Sequence, residues 1–172
     1  MRLQATVYRA HNPKWAFAPE SGEGAALTGG RFNPRGMKAL YTSLRFQTAW
    51  LEAQQAFPFK AQPLTLCAYD VDCEDVLDLT DPATLAAQDI APSDLACAWK
   101  DLETRGIRPP TWVLADRLTR NGIAGIIVPS YASGATPEDI NAVFWISAPV
   151  PPHQVRAIDD EHRLPKNARS WS

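Results

Sequence analysis

Residues 11 to 36 set the first limit on what this chain can fold into. Pro13, Pro19 and Pro34 fall there among Gly22, Gly24, Gly29, Gly30 and Gly36. A segment so rich in breakers cannot carry a continuous helix or strand. It is also longer than most connections in a compact domain, and ordered loops of that length commonly serve as lids or binding loops. On either side the pattern is regular. Thr6-Val7-Tyr8-Arg9-Ala10 alternates as a half-buried strand does, and Ala39-Leu40-Tyr41-Thr42 predicts a short second strand. With 15 prolines and six tryptophans in 172 residues, the expected fold is loop-rich with bulky aromatic anchors.

Ser43 is expected to cap a helix beginning at Leu44. In it Phe46, Ala49, Trp50, Ala53 and Phe57 recur at helical spacing, and Pro58 ends the run. Glu52 falls beside this apolar stripe rather than opposite it, which suits an acid at the edge of a cleft. Leu64, Leu66 and Ala68 mark a third strand and residues 75–79 a fourth. Asp81-Pro82 opens a helix, with proline in the first turn, where its missing N–H costs nothing. Leu95, Ala98, Trp99 and Leu102 predict a helix stopping at Gly106. Trp112, Ala115 and Leu118 predict another, stopped by Asn121-Gly122. Residues 123–128, 142–146 and 155–158 supply further strands, and the polar end is expected to fray from Leu164. Strands do not alternate regularly with helices, so the expected class is α+β, a mixed or antiparallel sheet with packing helices. One domain is expected over residues 1–163, with 164–172 as a tail.

Seventeen basic and nineteen acidic residues leave a formal charge of −2. That balance argues against a protein that coats DNA or RNA, although a local basic pocket remains compatible with it. The first residues lack the apolar run of a signal peptide and no stretch is apolar enough to span a bilayer, so a cytoplasmic protein without membrane contact is expected. Cys67, Cys73 and Cys97 have no metal-knuckle spacing, and His11, His153 and His162 are far apart in sequence, so no metal is expected. Gly22-Glu23-Gly24 lacks the third glycine and the strand-to-helix setting of a dinucleotide fingerprint. A hydrolase triad of Ser130, His153 and Asp159 lacks the Gly-x-Ser-x-Gly elbow and is kept only as a third option.

One constellation stands apart. Gly29-Gly30-Arg31-Phe32-Asn33 is followed by Tyr41, Glu52 and, behind the apolar run Ile126-Ile127-Val128-Pro129, Ser130. This order resembles the signature of the RES domain family over roughly Tyr8 to Ile158. The resemblance implies a fold similar to that of ADP-ribosyltransferases. It also implies a bacterial toxin that breaks the nicotinamide–ribose bond of NAD and is neutralised by an Xre-type helix-turn-helix antitoxin covering the active site. Carried over, it makes Arg31, Tyr41, Glu52 and Ser130 the catalytic set, with Ser133 as a rival for the serine. Arg31, Asn33 and Tyr41 are the expected contacts to NAD; from its own place in the first strand Arg9 is expected to add a second phosphate contact, with an ion pair to a core carboxylate as the alternative. The residues around Ser130 depart from the pattern, since many relatives carry an aromatic before the proline and a basic residue after the serine.

The chemistry is coherent on its own terms. Nicotinamide leaves as a neutral base from a cationic bond, so cleavage needs stabilisation of a ribosyl oxocarbenium more than acid assistance. A carboxylate such as Glu52 supplies it, Arg31 offers a bidentate fork to a pyrophosphate, and Tyr41 offers a ring and a hydroxyl to nicotinamide. Water, inorganic phosphate and a protein side chain are all open as ribosyl acceptors. Each residue also has an ordinary reading: a solvated helix glutamate, a core tyrosine, a loop arginine, a serine capping a turn. A second class of function, a non-catalytic interaction module, draws on the tryptophans.

Overall fold

A computed structural model describes residues 1–55 and 62–171. Phe57 and Pro58, expected to extend and close the second-strand helix, lie outside the described residues. Among the described residues seven strands form one sheet: β1 (Leu3–His11), β2 (Leu40–Ser43), β3 (Thr65–Cys73), β4 (Val76–Asp78), β5 (Gly125–Pro129), β6 (Ile140–Phe144) and β7 (His153–Ala157). Their order is β4-β5-β6-β2-β1-β3-β7. Only β4 and β5 pair in parallel, and the long crossover between them carries helices, so the sheet is mixed and the class α+β.

The sheet cannot be flat. β3 runs directly into β4 through Glu74 and Asp75, yet the two strands stand towards opposite ends of the order. Met1 closes the gap, its amine donating to the Val76 carbonyl at 2.7 Å and its own carbonyl accepting from Val76 N–H at 3.0 Å. The sheet therefore curls until its ends approach, and one face closes on itself around a core drawn from every strand: Val7, Leu40, Tyr69, Val76, Ile127, Phe144 and Val155. Period-2 alternation puts Ile126, Val128 and Val143 on the second face. There α3 (Pro82–Ala87), α4 (Pro92–Leu95) and α6 (Pro110–Arg120) cover half the sheet, packing Leu95, Leu114 and Leu118 onto it. The other half is covered by α2 (Phe46–Gln54), which rests mainly on β1.

Local signals explain several boundaries. The Asp81 carboxylate caps α3, accepting from Ala83 and Thr84 N–H. Gly122, at φ +81°, follows Asn121 and stops α6 in the left-handed conformation glycine tolerates.

Other expectations need correction. The breaker-rich segment holds a 3-10 turn (Pro13–Trp15) and a short helix α1 (Glu23–Thr28), so its prolines and glycines bound elements rather than exclude them. Ser43 ends β2 instead of capping a helix, because Leu44 N–H continues the pairing to Ile140 O at 2.9 Å; α2 starts only at Phe46. That helix buries Thr48 and Ala49, leaving Phe46 and Trp50 51% and 43% exposed. In β3 the buried set is Cys67, Tyr69, Val71 and Cys73, one residue out of step with the expected one, and Leu66 is 45% exposed. The single helix expected over 95–102 is two, α4 and α5 (Trp99–Thr104). At the end, Leu164 packs on the first core and Ala168–Trp171 form a 3-10 turn. Among the described residues no helix is long and apolar enough to cross a membrane.

Candidate active site

Between the two helical covers the second face lies open as a pocket of about 500 Å³, within the usual range for small-ligand sites. Tyr8, Tyr41, Ser43, Asn141 and Val143, from three adjacent strands, supply its sheet surface. Glu52 and Ala53 of α2 line it, as do the Gly29–Phe32 loop, Tyr131 and Trp99.

Glu52 is the most heavily bonded side chain there. Its Oε1 accepts from Ser130 Oγ at 2.6 Å and from Asn141 Nδ2 at 2.5 Å, and its Oε2 accepts from Gln55 Nε2 at 2.6 Å. Ser130 Oγ itself accepts from Ala132 N–H at 3.2 Å, which turns its proton towards Glu52. Asn141 Oδ1 accepts from Ser43 Oγ at 2.7 Å. Sheet register makes this possible: Ser43 and Asn141 are a cross-strand pair, Asn141 also faces Val128, and Ser130 lies two residues beyond Val128 on the same face. The helix carrying Glu52 is tied to the same edge. Thr48 Oγ1 donates to Asp139 Oδ1 at 2.6 Å, while Asp139 Oδ2 accepts from Thr136 N–H and Oγ1. These hydrogen bonds, that from Thr48 foremost, hold the Asp139 carboxyl below its ordinary pKa.

The loop bearing Arg31 is strapped from several sides. Trp112 Nε1 donates to Gly30 O at 2.7 Å, and Trp145 Nε1 to Phe32 O at 2.8 Å. Tyr41 Oη accepts from Phe32 N–H at 2.9 Å and donates to Asn33 Oδ1 at 2.7 Å. Burial pushes the Tyr41 phenol well above its ordinary pKa, so it keeps the proton it donates. Gly30 is required by this packing, since a Cβ there would lie 2.5 Å from Tyr41 Oη and 2.6 Å from Asn33 Oδ1. Arg31 then reaches across to the break between α4 and α5. Its Nη1 donates to Leu95 O at 3.1 Å and Cys97 O at 2.6 Å, and its guanidinium lies 4.5 Å from the Tyr131 ring centroid. Burial lowers its pKa, partly offset by nearby Cys97 and Tyr131.

Arg31, Tyr41 and Glu52 thus line one pocket, and Ser130 touches Glu52 directly; Ser133 is exposed in the loop beyond. Two of the residues expected to contact NAD have other partners. Asn33 is 0% exposed, with Nδ2 donating to the carbonyls of Ala25, Pro34 and Met37, so it shapes the loop. Arg9 borders the pocket, but alternation along β1 gives that face to Tyr8. The Arg9 guanidinium donates to Ser21 O and to Pro19 O, which also accepts from the hydroxyl of Tyr69, a residue of the first core. The Tyr41 hydroxyl is likewise committed inside the loop, leaving its ring to the cavity. One end of the Arg31 fork is also engaged with main-chain carbonyls. The hydrolase triad is not assembled: Ser130 bonds Glu52, and His153 Nε2 lies 3.2 Å from Asp75.

Reading by residue type missed Tyr8, Ser43, Trp99, Tyr131 and Asn141. A polar Asn at the head of an apolar strand run was the available signal for Asn141; Ser43 was misassigned to a cap. The tryptophans, which favoured an interaction surface, are partly accounted for by Trp112 and Trp145 bracing the loop.

The RES domain matches residues 6–167 of the chain. Among solved structures, a chain of the M. tuberculosis MbcT-MbcA toxin-antitoxin complex superposes with a TM-score of 0.66 at 22% identity, over 92% of this chain and 84% of that one. At that identity the likeness is one of fold. No curated protein matches significantly.

Proposed function

The chain belongs to the RES domain family, and from that premise we propose that it is a toxin that cleaves the nicotinamide–ribose bond of NAD in the cytoplasm and is neutralised by an Xre-type antitoxin. The observation that carries the reading is Glu52: a carboxylate on the pocket wall, its oxygens fixed by Ser130, Asn141 and Gln55, beside a cavity that also exposes Arg31 and the Tyr41 ring. In this reading Glu52 offsets the positive charge that grows on the ribose as the bond lengthens, or orients the incoming acceptor. The Ser130 hydroxyl and the Asn141 amide keep the carboxylate in place. Arg31, with one nitrogen still directed by its clasp on Leu95 and Cys97, presents its remaining donors to the pyrophosphate. The Tyr41 ring stacks on the nicotinamide, and its hydroxyl serves the loop.

The M. tuberculosis structure of similar fold is a toxin–antitoxin complex, which supports a protein antitoxin as the partner here, one that blocks the pocket. Any nucleic-acid contact belongs to that partner. The test is incubation of the purified protein with NAD, with and without inorganic phosphate, and identification of products by mass. Release of free nicotinamide is expected; the second product separates water, phosphate and protein as acceptors. Intact NAD under all these conditions would reject the reading.

A further inference from the structure

We infer that Asn141, backed by Ser43, is the positioning residue that aims Glu52, an inference that rests on the NAD-cleaving reading above. Glu52 comes from a helix and has three rotatable bonds, so its helix alone does not fix where the carboxylate points. Its three donors differ in kind. Gln55 is an exposed neighbour on the same stretch of chain and moves with it; Ser130 follows β5 in a loop. Asn141 sits on β6, hydrogen-bonded between β5 and β2, and so supplies the donor held by the sheet itself.

Its amide orientation is determined by its neighbours. Ser43 Oγ is buried and donates to Asn141 Oδ1 at 2.7 Å, which leaves Nδ2 for Glu52 Oε1. A flipped amide would set a carbonyl against a carboxylate, two acceptors with no proton between them. Ser43 therefore acts on Glu52 only through Asn141. The chain Ser43 to Asn141 to Glu52 runs across the sheet to the pocket wall, and none of it is needed to close either hydrophobic core.

The experiment compares Asn141→Leu, Ser43→Ala and the double variant in steady-state NAD cleavage. Asn141→Leu should lower kcat about tenfold or more, as for a lost hydrogen bond to a charged group, with KM nearly unchanged. Ser43→Ala should lower kcat less, and the double variant should be no slower than Asn141→Leu alone, because the two act in series. Wild-type kcat in Asn141→Leu, or effects that multiply in the double variant, would overturn the inference. Crystal structures give an arm that does not depend on turnover. In Asn141→Leu, or in Asn141→Ser should the leucine variant fail to fold, the Glu52 carboxylate should have left Ser130; finding it in place overturns the inference. Should wild-type protein leave NAD intact, the reaction reading fails and this structural arm alone decides.

Discussion

Replacing Tyr41 by Phe distinguishes a hydroxyl that braces the loop from one that meets the ligand. The change keeps the ring and removes one oxygen, which accepts from Phe32 N–H and donates to Asn33 Oδ1. Both partners are enclosed, Phe32 and Asn33 being almost without solvent contact. Asn33 cannot turn to compensate, because its Nδ2 already holds three carbonyls. A buried polar group left without a partner costs about 1–3 kcal/mol, so two of them put the loss at roughly 2–4 kcal/mol after modest relaxation. For a domain of this size that is a fall in Tm of about 5–15 °C. Urea unfolding followed by tryptophan fluorescence should show a lower midpoint with an unchanged slope. A Tyr41→Phe protein as stable as the wild type, yet unable to bind NAD, would refute the brace and put the hydroxyl on the ligand.

Acid should weaken the fold well before the carboxylates titrate. His11 is 6% exposed with neither ring nitrogen hydrogen-bonded among the described residues, and burial, with Arg9 adding to it, pulls its pKa from 6.5 down to about 4. The unfolded chain then takes up the proton first, so stability is flat above about pH 6.5 and falls between there and pH 4. The loss is about 3 kcal/mol at 1.36 kcal/mol per pH unit. Chemical denaturation across that range should show the slope, and His11→Phe should flatten it; an unchanged slope would contradict the assignment. Arg31→Lys should raise KM for NAD and reduce kcat together, because an ammonium cannot span Leu95 O and Cys97 O while still facing the cavity. Wild-type kinetics in that variant would remove Arg31 from the site.

Elements with local signals were legible in the sequence. Asp81 ahead of Pro82, Asn121-Gly122 behind a helical stripe, and the alternation of β1 each fix a boundary through contacts within a few residues. What stayed hidden depends on distant partners. The break between α4 and α5 is clasped by Arg31, more than sixty residues away in sequence, so helical spacing across 95–102 gave no warning of it. Arg9 was singled out by its charge, while strand alternation turns Tyr8 to the pocket and leaves Arg9 at its border. The register of β3 slipped because Leu64 and Leu66 are more apolar than Cys67 and Tyr69, while the curl of the sheet buries the latter. Glu52 was singled out by its place after Arg31 and Tyr41 and lines the pocket although Phe46 and Trp50 of the stripe beside it are exposed, whereas Asn141 enters the pocket only through the pairing of β2 with β6.

In the proposed reaction Glu52, held by Ser130 and Asn141, drives cleavage of NAD in this pocket. Its most direct test is the release of nicotinamide by wild-type and Glu52→Gln protein, alongside calorimetric binding of NAD to both. Wild-type protein should release nicotinamide, and Glu52→Gln should bind NAD with a Kd within about threefold of wild type while its turnover falls by about a hundredfold or more. Undiminished release by Glu52→Gln would contradict it.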